Sequence, residues 1–101
     1  MIDVVAVIRV KEGKVEELLQ KLKDNIPAVL GEDGCVAYYP TVDADAGVPA
    51  QDLNPNEVTV LEKWESIEAL HAHLQAPHMV AYRKRVADLV ESVRLRVLTA
   101  A

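Results

Sequence analysis

Three histidines close together in the sequence are the residues of this chain most able to do chemistry. His71, His73 and His78 fall within one short segment, and an imidazole titrates near neutral pH, which suits it to proton transfer or to metal binding. On a helix, however, His71 and His73 are two residues apart and point to nearly opposite sides. His78 follows Pro77 and therefore belongs to a separate helical segment. The spacing disfavours a metal site and leaves His73 and His78 as either structural partners at a helix junction or acid–base groups.

A carboxylate and an indole form the second candidate pair. Glu62 and Trp64 are two residues apart in a predicted strand and share one of its faces. If that face meets the helices, desolvation raises the pKa of Glu62 unless a donor pairs with it. We expect that donor to come from His73, His78 or Tyr82. Two interpretations stay open: a structural hydrogen-bond network, or an acid–base site beside an aromatic wall in a pocket between helices and sheet.

The elements that must position these side chains follow from hydrophobic periodicity. Alternating β-branched residues predict strands, and apolar residues at helical spacing predict helices after Gly13 and on either side of the Pro77 interruption. The loop between the second and third strands is long for so small a domain. Predicted strands cover 3–10, 35–43, 57–64 and 91–100, and predicted helices begin near Val15, after Ser66 and at Pro77, with a loop over 44–56.

This order, β-α-β-β-α-β, predicts an α+β, ferredoxin-like fold for a single domain over residues 1–101. Both helices then cover one face of a four-stranded antiparallel sheet and leave the other face open. We expect the open face to show apolar residues from the first and fourth strands. An exposed apolar face of that size favours association, so the sequence predicts a homodimer that packs sheet against sheet.

Composition narrows the possible partners and cofactors. The chain has 11 Lys and Arg against 16 Asp and Glu, a formal net charge of −5, which argues against nucleic acid because phosphate binding needs clustered cations. No apolar run is long enough for a membrane span, the first residues lack a signal-peptide pattern, and Cys35 has no partner for a disulfide. We therefore expect a cytoplasmic protein. The isolated glycines exclude a phosphate-binding loop, so we expect no flavin, nicotinamide or other cofactor.

Two segments resemble the antibiotic biosynthesis monooxygenase (ABM) family. One is Glu62-Lys63-Trp64-Glu65-Ser66 followed by EALHAHLQAPH over 68–78; the other is Gly34-Cys35 before a strand with Tyr38 and Tyr39. The resemblance covers nearly the whole chain and implies a dimeric α+β barrel of ferredoxin-like protomers. The chain departs from the family pattern at Ala76, where a helix-capping Ser is frequent, and in its longer 44–56 loop. It also lacks the residues of the haem-degrading branch: an Asn on the first strand and a His in the last helix.

The resemblance also implies an activity. Several family members oxidise aromatic quinols or anthrones with molecular oxygen and no metal, flavin or haem. On that basis His73 or His78 would be the base or proton relay, and Glu62 would orient it. The partners would be a small aromatic substrate and oxygen. A non-catalytic binding protein of the same fold, or an isomerase or decarboxylase acting on an aromatic acid, stays open as an alternative. The substrate-binding aromatic wall would comprise Trp64, Tyr38 and Tyr82.

Overall fold

The chain forms four strands and three helices in the order β-α-β-β-α-α-β, in a computed structural model that describes residues 1–101. The predicted α+β ferredoxin-like fold is confirmed, and the interruption at Pro77 divides the second helical region into two helices. The elements are β1 (Ile2–Val10), α1 (Val15–Leu30), β2 (Cys35–Thr41), β3 (Glu57–Trp64), α2 (Ile67–Gln75), α3 (Pro77–Val86) and β4 (Val90–Leu98).

Local sequence signals set the limits of the helices around the histidines. The hydroxyl of Ser66 accepts a hydrogen bond from the backbone N–H of Ala69 at 3.1 Å and so caps α2. Ala76 then adopts an extended conformation, as the residue before a proline prefers. Pro77 occupies the first turn of α3, where its missing N–H costs nothing. No side chain caps α3, because Ala76 has no hydrogen-bonding group.

The four strands pair antiparallel in the order β2-β3-β1-β4. Pro40 lies on the edge strand β2, as its missing donor predicts. On β1 and β3, alternate residues turn toward the helices, and the register sets Val4 opposite Glu62 and Ala6 opposite Val60. This face carries the core, and Glu62 is the one charged residue in the buried row of β3. None of the helices is long and apolar enough to cross a membrane.

The open face of the sheet differs from its prediction at β4. Val5 and Val7 of β1 lie on this face as expected, but the register places Arg96 and Arg94 of β4 beside them. Leu98, opposite Asp3, is the one apolar residue of β4 on the open face, whereas Val93, Leu95 and Val97 form a stripe on the helix side. This stripe is about half exposed: Val93 54%, Leu95 50% and Val97 48%. The expectation that the fourth strand adds apolar residues to the open face therefore holds only for Leu98, because arginine occupies the neighbouring open-face positions of that strand.

Candidate active site

A cavity of about 220 Å³ lies between the helices α2 and α3 and the helix-facing side of the sheet. Most of its wall is aliphatic, with contributions from β1, β3, α3 and β4. Few polar groups interrupt this wall, the usual composition of a small-molecule site. The side chains that carry polar or titratable groups are Tyr38, Glu62, His73, Tyr82 and Arg83.

Glu62 enters the cavity from β3 and is held by its neighbour on the same strand face. Its Oε1 accepts a hydrogen bond from Nε1–H of Trp64 at 2.9 Å. Burial raises the pKa of Glu62 to about 7, and the Trp64 bond opposes that rise. The prediction of a raised pKa is supported, but the expected donor was wrong. Trp64 donates, rather than His73, His78 or Tyr82, because residues two apart on a strand stand side by side.

His73 lies on α2 and is almost fully buried at the wall of the cavity. Its Nδ1 is 2.8 Å from Oε2 of Glu32. The ring packs on Trp64 with centroids 4.6 Å apart and meets the edge of Tyr38 at 5.5 Å. Burial lowers the pKa of His73, and the neighbouring Glu32 carboxylate partly offsets this effect. The neutral imidazole is thus favoured, which is the form that can accept a proton.

His78 approaches the same carboxylate from the start of α3. Its Nε2 is 3.1 Å from Oε2 of Glu32, which is within ion-pair distance. The ring is not oriented for a hydrogen bond to that oxygen, so both of its buried nitrogens lack a hydrogen-bond partner. His71 lies exposed on the other side of α2, so the predicted divergence from His73 is confirmed. No group of three or more His, Cys, Asp or Glu side chains has the geometry to hold a metal ion.

Sequence reasoning did not find Glu32, which links the two histidines. It lies between Gly31 and Gly34 in the turn after α1, 41 positions before His73 in the sequence. Gly34 holds this turn against α2. Its φ is +86°, and an added Cβ would lie 2.6 Å from Cβ of Ala69. The only local signal was a carboxylate in a short turn flanked by glycines, and such a turn is too common to point to a site.

The aromatic residues divide between the wall of the cavity and the layer behind it. Tyr38 and Tyr82 line the cavity, and burial raises the pKa of both phenols, to about 12 for Tyr82. Both hydroxyls are therefore protonated at neutral pH and able to donate. Trp64, expected in the wall, is fully buried behind His73 and does not line the cavity. Arg83, which we did not predict, lines it while its guanidinium donates to the carbonyl of Leu74 at 2.7 Å.

Similarity to known proteins agrees with this geometry. The family model described as antibiotic biosynthesis monooxygenase matches residues 1–85. The chain is 41% identical over 100 residues to an Escherichia coli K12 protein named "Probable quinol monooxygenase YgiN", covering 97% of this chain and 96% of that one. A Shewanella oneidensis protein of known structure is 33% identical, with a TM-score of 0.80 over 96% of this chain and 87% of that one. A Mycobacterium tuberculosis structure is 27% identical, with a TM-score of 0.80, covering 99% and 94%.

Each of these similarities extends over most of the chain. The segment from Glu62 to His78, on which the resemblance was first based, contains the carboxylate Glu62 and both histidines of the site. This chain belongs to the antibiotic biosynthesis monooxygenase family.

Proposed function

We propose that this protein is a cofactor-independent monooxygenase that oxidises a hydroxylated aromatic compound, a quinol or an anthrone, with molecular oxygen. The observation that carries the proposal is one apolar cavity holding a buried imidazole, His73, and a carboxyl of raised pKa, Glu62. The 41% identity to a protein named as a probable quinol monooxygenase supports the same chemistry.

The reaction requires the protein to provide proton transfer and a cavity that excludes water. A hydroxylated aromatic that has lost a proton is rich enough in electrons to reduce oxygen itself. With an anthrone, the anion gives an electron to oxygen, the two radicals combine into a peroxide, and loss of water converts the CH₂ group into a carbonyl. One oxygen atom stays in the product and the other leaves as water. A base must therefore remove a proton, and the peroxide must receive one back.

His73 is the base in this proposal. It lines the cavity and favours the neutral form, and its Nδ1 is engaged by Glu32, which leaves Nε2 for the substrate. Glu62 has a pKa near neutrality and provides a second group that can hold or give a proton beside the substrate. The phenols of Tyr38 and Tyr82 form the aromatic and hydrogen-bonding wall.

Oxygen consumption tests the activity directly. An oxygen electrode and a panel of quinols and anthrones, with no added cofactor, should show turnover by the wild type. His73→Ala should lower kcat by ~10²–10⁴, the usual contribution of general acid–base help. His71→Ala is the matched control, because His71 lies on the same helix but is exposed. No oxygen uptake by the wild type with any compound would reject the proposal, and ligand binding without turnover would favour the small-molecule-binding protein.

We also propose that the protein works as a homodimer. Val5, Val7 and Leu61 lie on the open sheet face at intermediate exposure, with no layer of this chain over them. A second copy packed against that face would remove this apolar surface from water, at about 25 cal/mol per Å². Light scattering at micromolar concentration should give twice the mass of the chain, and the mass of a single chain would contradict the proposal.

A further inference from the structure

One carboxylate oxygen of this site lies between two imidazoles. Oε2 of Glu32 is 2.8 Å from Nδ1 of His73 and 3.1 Å from Nε2 of His78. The Glu32 side chain is only 15% exposed, and the turn that carries it is tied to the end of β3, just before α2, by a hydrogen bond of 2.8 Å from Glu65 N–H to the carbonyl of Gly34. The fold itself therefore brings the oxygen to both rings.

We propose that Glu32 is a positioning residue for His73 and that its Oε2 passes protons between His73 and His78. The inference rests on the proposed function, in which His73 takes a proton from the substrate. It gives the site a second proton acceptor outside the cavity, since His78 does not line the cavity wall.

Glu32 first decides which nitrogen of His73 is the base. A carboxylate oxygen accepts hydrogen bonds and does not donate them, so the 2.8 Å contact assigns the hydrogen to Nδ1. Nε2 of the neutral ring then carries the lone pair. Without Glu32 this contact would no longer select the tautomer, and rings with hydrogen on Nε2 would present an N–H where the substrate needs a base.

The transfer balances without any other reactant. The substrate proton goes to Nε2 of His73, the Nδ1 proton moves to Oε2 of Glu32, and Oε2 gives a proton to Nε2 of His78. No electrons move, and the reverse sequence returns a proton to the peroxide. Both ring nitrogens of His78 are buried without a partner, and its Nε2 is already within reach of Oε2. The second transfer also requires the His78 ring to turn so that the lone pair of Nε2 faces Oε2.

The charges around His73 predict that loss of Glu32 and loss of His78 shift the pKa of His73 in opposite directions. Glu32 stabilises the protonated form of His73, whereas a protonated His78 opposes it, and Arg83 of α3 opposes it as well. The other titratable groups around this cluster are Glu62 of β3 with Tyr38 and Cys35 of β2. Removing the Glu32 charge should therefore lower the pKa of His73, and removing His78 should raise it.

Nuclear magnetic resonance of the histidine rings in the intact protein tests this without substrate. We expect the ¹⁵N shifts to place the hydrogen of neutral His73 on Nδ1. Glu32→Gln, whose amide oxygen can still accept that hydrogen, should lower the pKa of His73 by about one unit or more, the usual effect of losing an adjacent opposite charge. Asp33→Asn removes the same charge from an exposed neighbour in the same turn and should change nothing. Hydrogen on Nε2, or equal shifts in both variants, would overturn the proposal.

His78→Gln tests the second part of the proposal, the transfer of a proton between Glu32 and His78, with His71→Gln as its control. The His73 titration should move upward in the first variant only. In oxygen uptake, His78→Gln should lower kcat by up to ~10²-fold, the lower end of general acid–base help, and added imidazole should restore it, which a purely structural loss would not allow. Full kcat in His78→Gln would overturn the relay. If the wild type takes up no oxygen, the proposed function fails, and the two titrations still decide whether Glu32 and His78 share a proton with His73.

Discussion

Replacing Glu62 by glutamine should make the protein more stable at alkaline pH and leave its stability in acid almost unchanged. The folded-state pKa of Glu62 is about 7 against an ordinary value of 4.5, chiefly because burial disfavours the carboxylate. Between these two values the folded chain holds a proton that the unfolded chain has released. Unfolding free energy therefore falls as pH rises through this window, and it stays low above pH about 7.

The size of the effect follows from the shift. A rise of about two and a half pKa units, at about 1.36 kcal/mol per unit, corresponds to about 3 kcal/mol of lost stability at alkaline pH. Because only 8% of Glu62 is exposed, solvent screening reduces this value little. Glutamine has nearly the same shape and its amide oxygen can still accept the hydrogen of Trp64 Nε1, but it cannot ionise. Glu62→Gln should therefore not lose this stability at alkaline pH.

Urea unfolding of both proteins, at several pH values on either side of the window, measures this difference. Trp64 is the single tryptophan and is fully buried, so its fluorescence reports unfolding. Protein concentration must be the same throughout, because the stability of a dimer depends on it. All other titrating groups are shared, so their contributions cancel in the difference between the two curves.

The stability advantage of Glu62→Gln should grow by about 3 kcal/mol from below pH 4.5 to pH about 8. A constant difference across the whole range would refute the reasoning, since it would mean that Glu62 titrates equally in the folded and unfolded chain. A difference that grows toward acid would show that the folded state prefers the charged carboxylate. Burial would then not be the dominant influence.

Three further results are expected. Gly34→Ala should lower the melting temperature more than Gly13→Ala. Both glycines have a positive φ, which costs an alanine ~1–2 kcal/mol, but only at Gly34 would the new Cβ clash with a neighbouring atom, Cβ of Ala69 at 2.6 Å. Ser66→Ala should lower the unfolding free energy by ~1 kcal/mol through loss of the α2 cap, measured in urea; an unchanged value would show that the cap is not needed. The purified protein should show no visible absorption band and no stoichiometric metal, and a flavin or haem spectrum would contradict the proposed chemistry.

The parts of the fold that depend on local periodicity could be predicted from the sequence. Strand β3 has its predicted limits, Glu57–Trp64, because its residues alternate between two environments along the whole strand. The break between α2 and α3 could also be predicted, because Pro77 disfavours a helical conformation at Ala76 and fits the first turn of the next helix. The divergence of His71 and His73 followed from helix geometry alone, and it holds.

The contacts that define the site could not be predicted in the same way. The link between Glu32 and His73 joins residues 41 positions apart and depends on how closely the turn at Gly34 approaches α2. Periodicity says which face a residue takes but not which distant side chain it meets there. The donor to Glu62 was missed for a different reason: Trp64 was placed beside Glu62 on the same strand face but was assigned to the aromatic wall, and its indole N–H was not considered as the donor.

Two of the titratable groups in the cavity wall, Glu62 and His73, have pKa values that burial shifts toward opposite protonation states near neutral pH. Burial raises the pKa of Glu62 and lowers that of His73. The shifts have opposite signs and one cause, because desolvation disfavours the charged form, which is the deprotonated form of a carboxyl and the protonated form of an imidazole. At neutral pH His73 is therefore ready to accept a proton, and Glu62 holds one part of the time. Under the proposed function, burial alone would thus supply a base and a proton donor, and hydrogen bonds would orient them, from Trp64 to Glu62 and between His73 and Glu32.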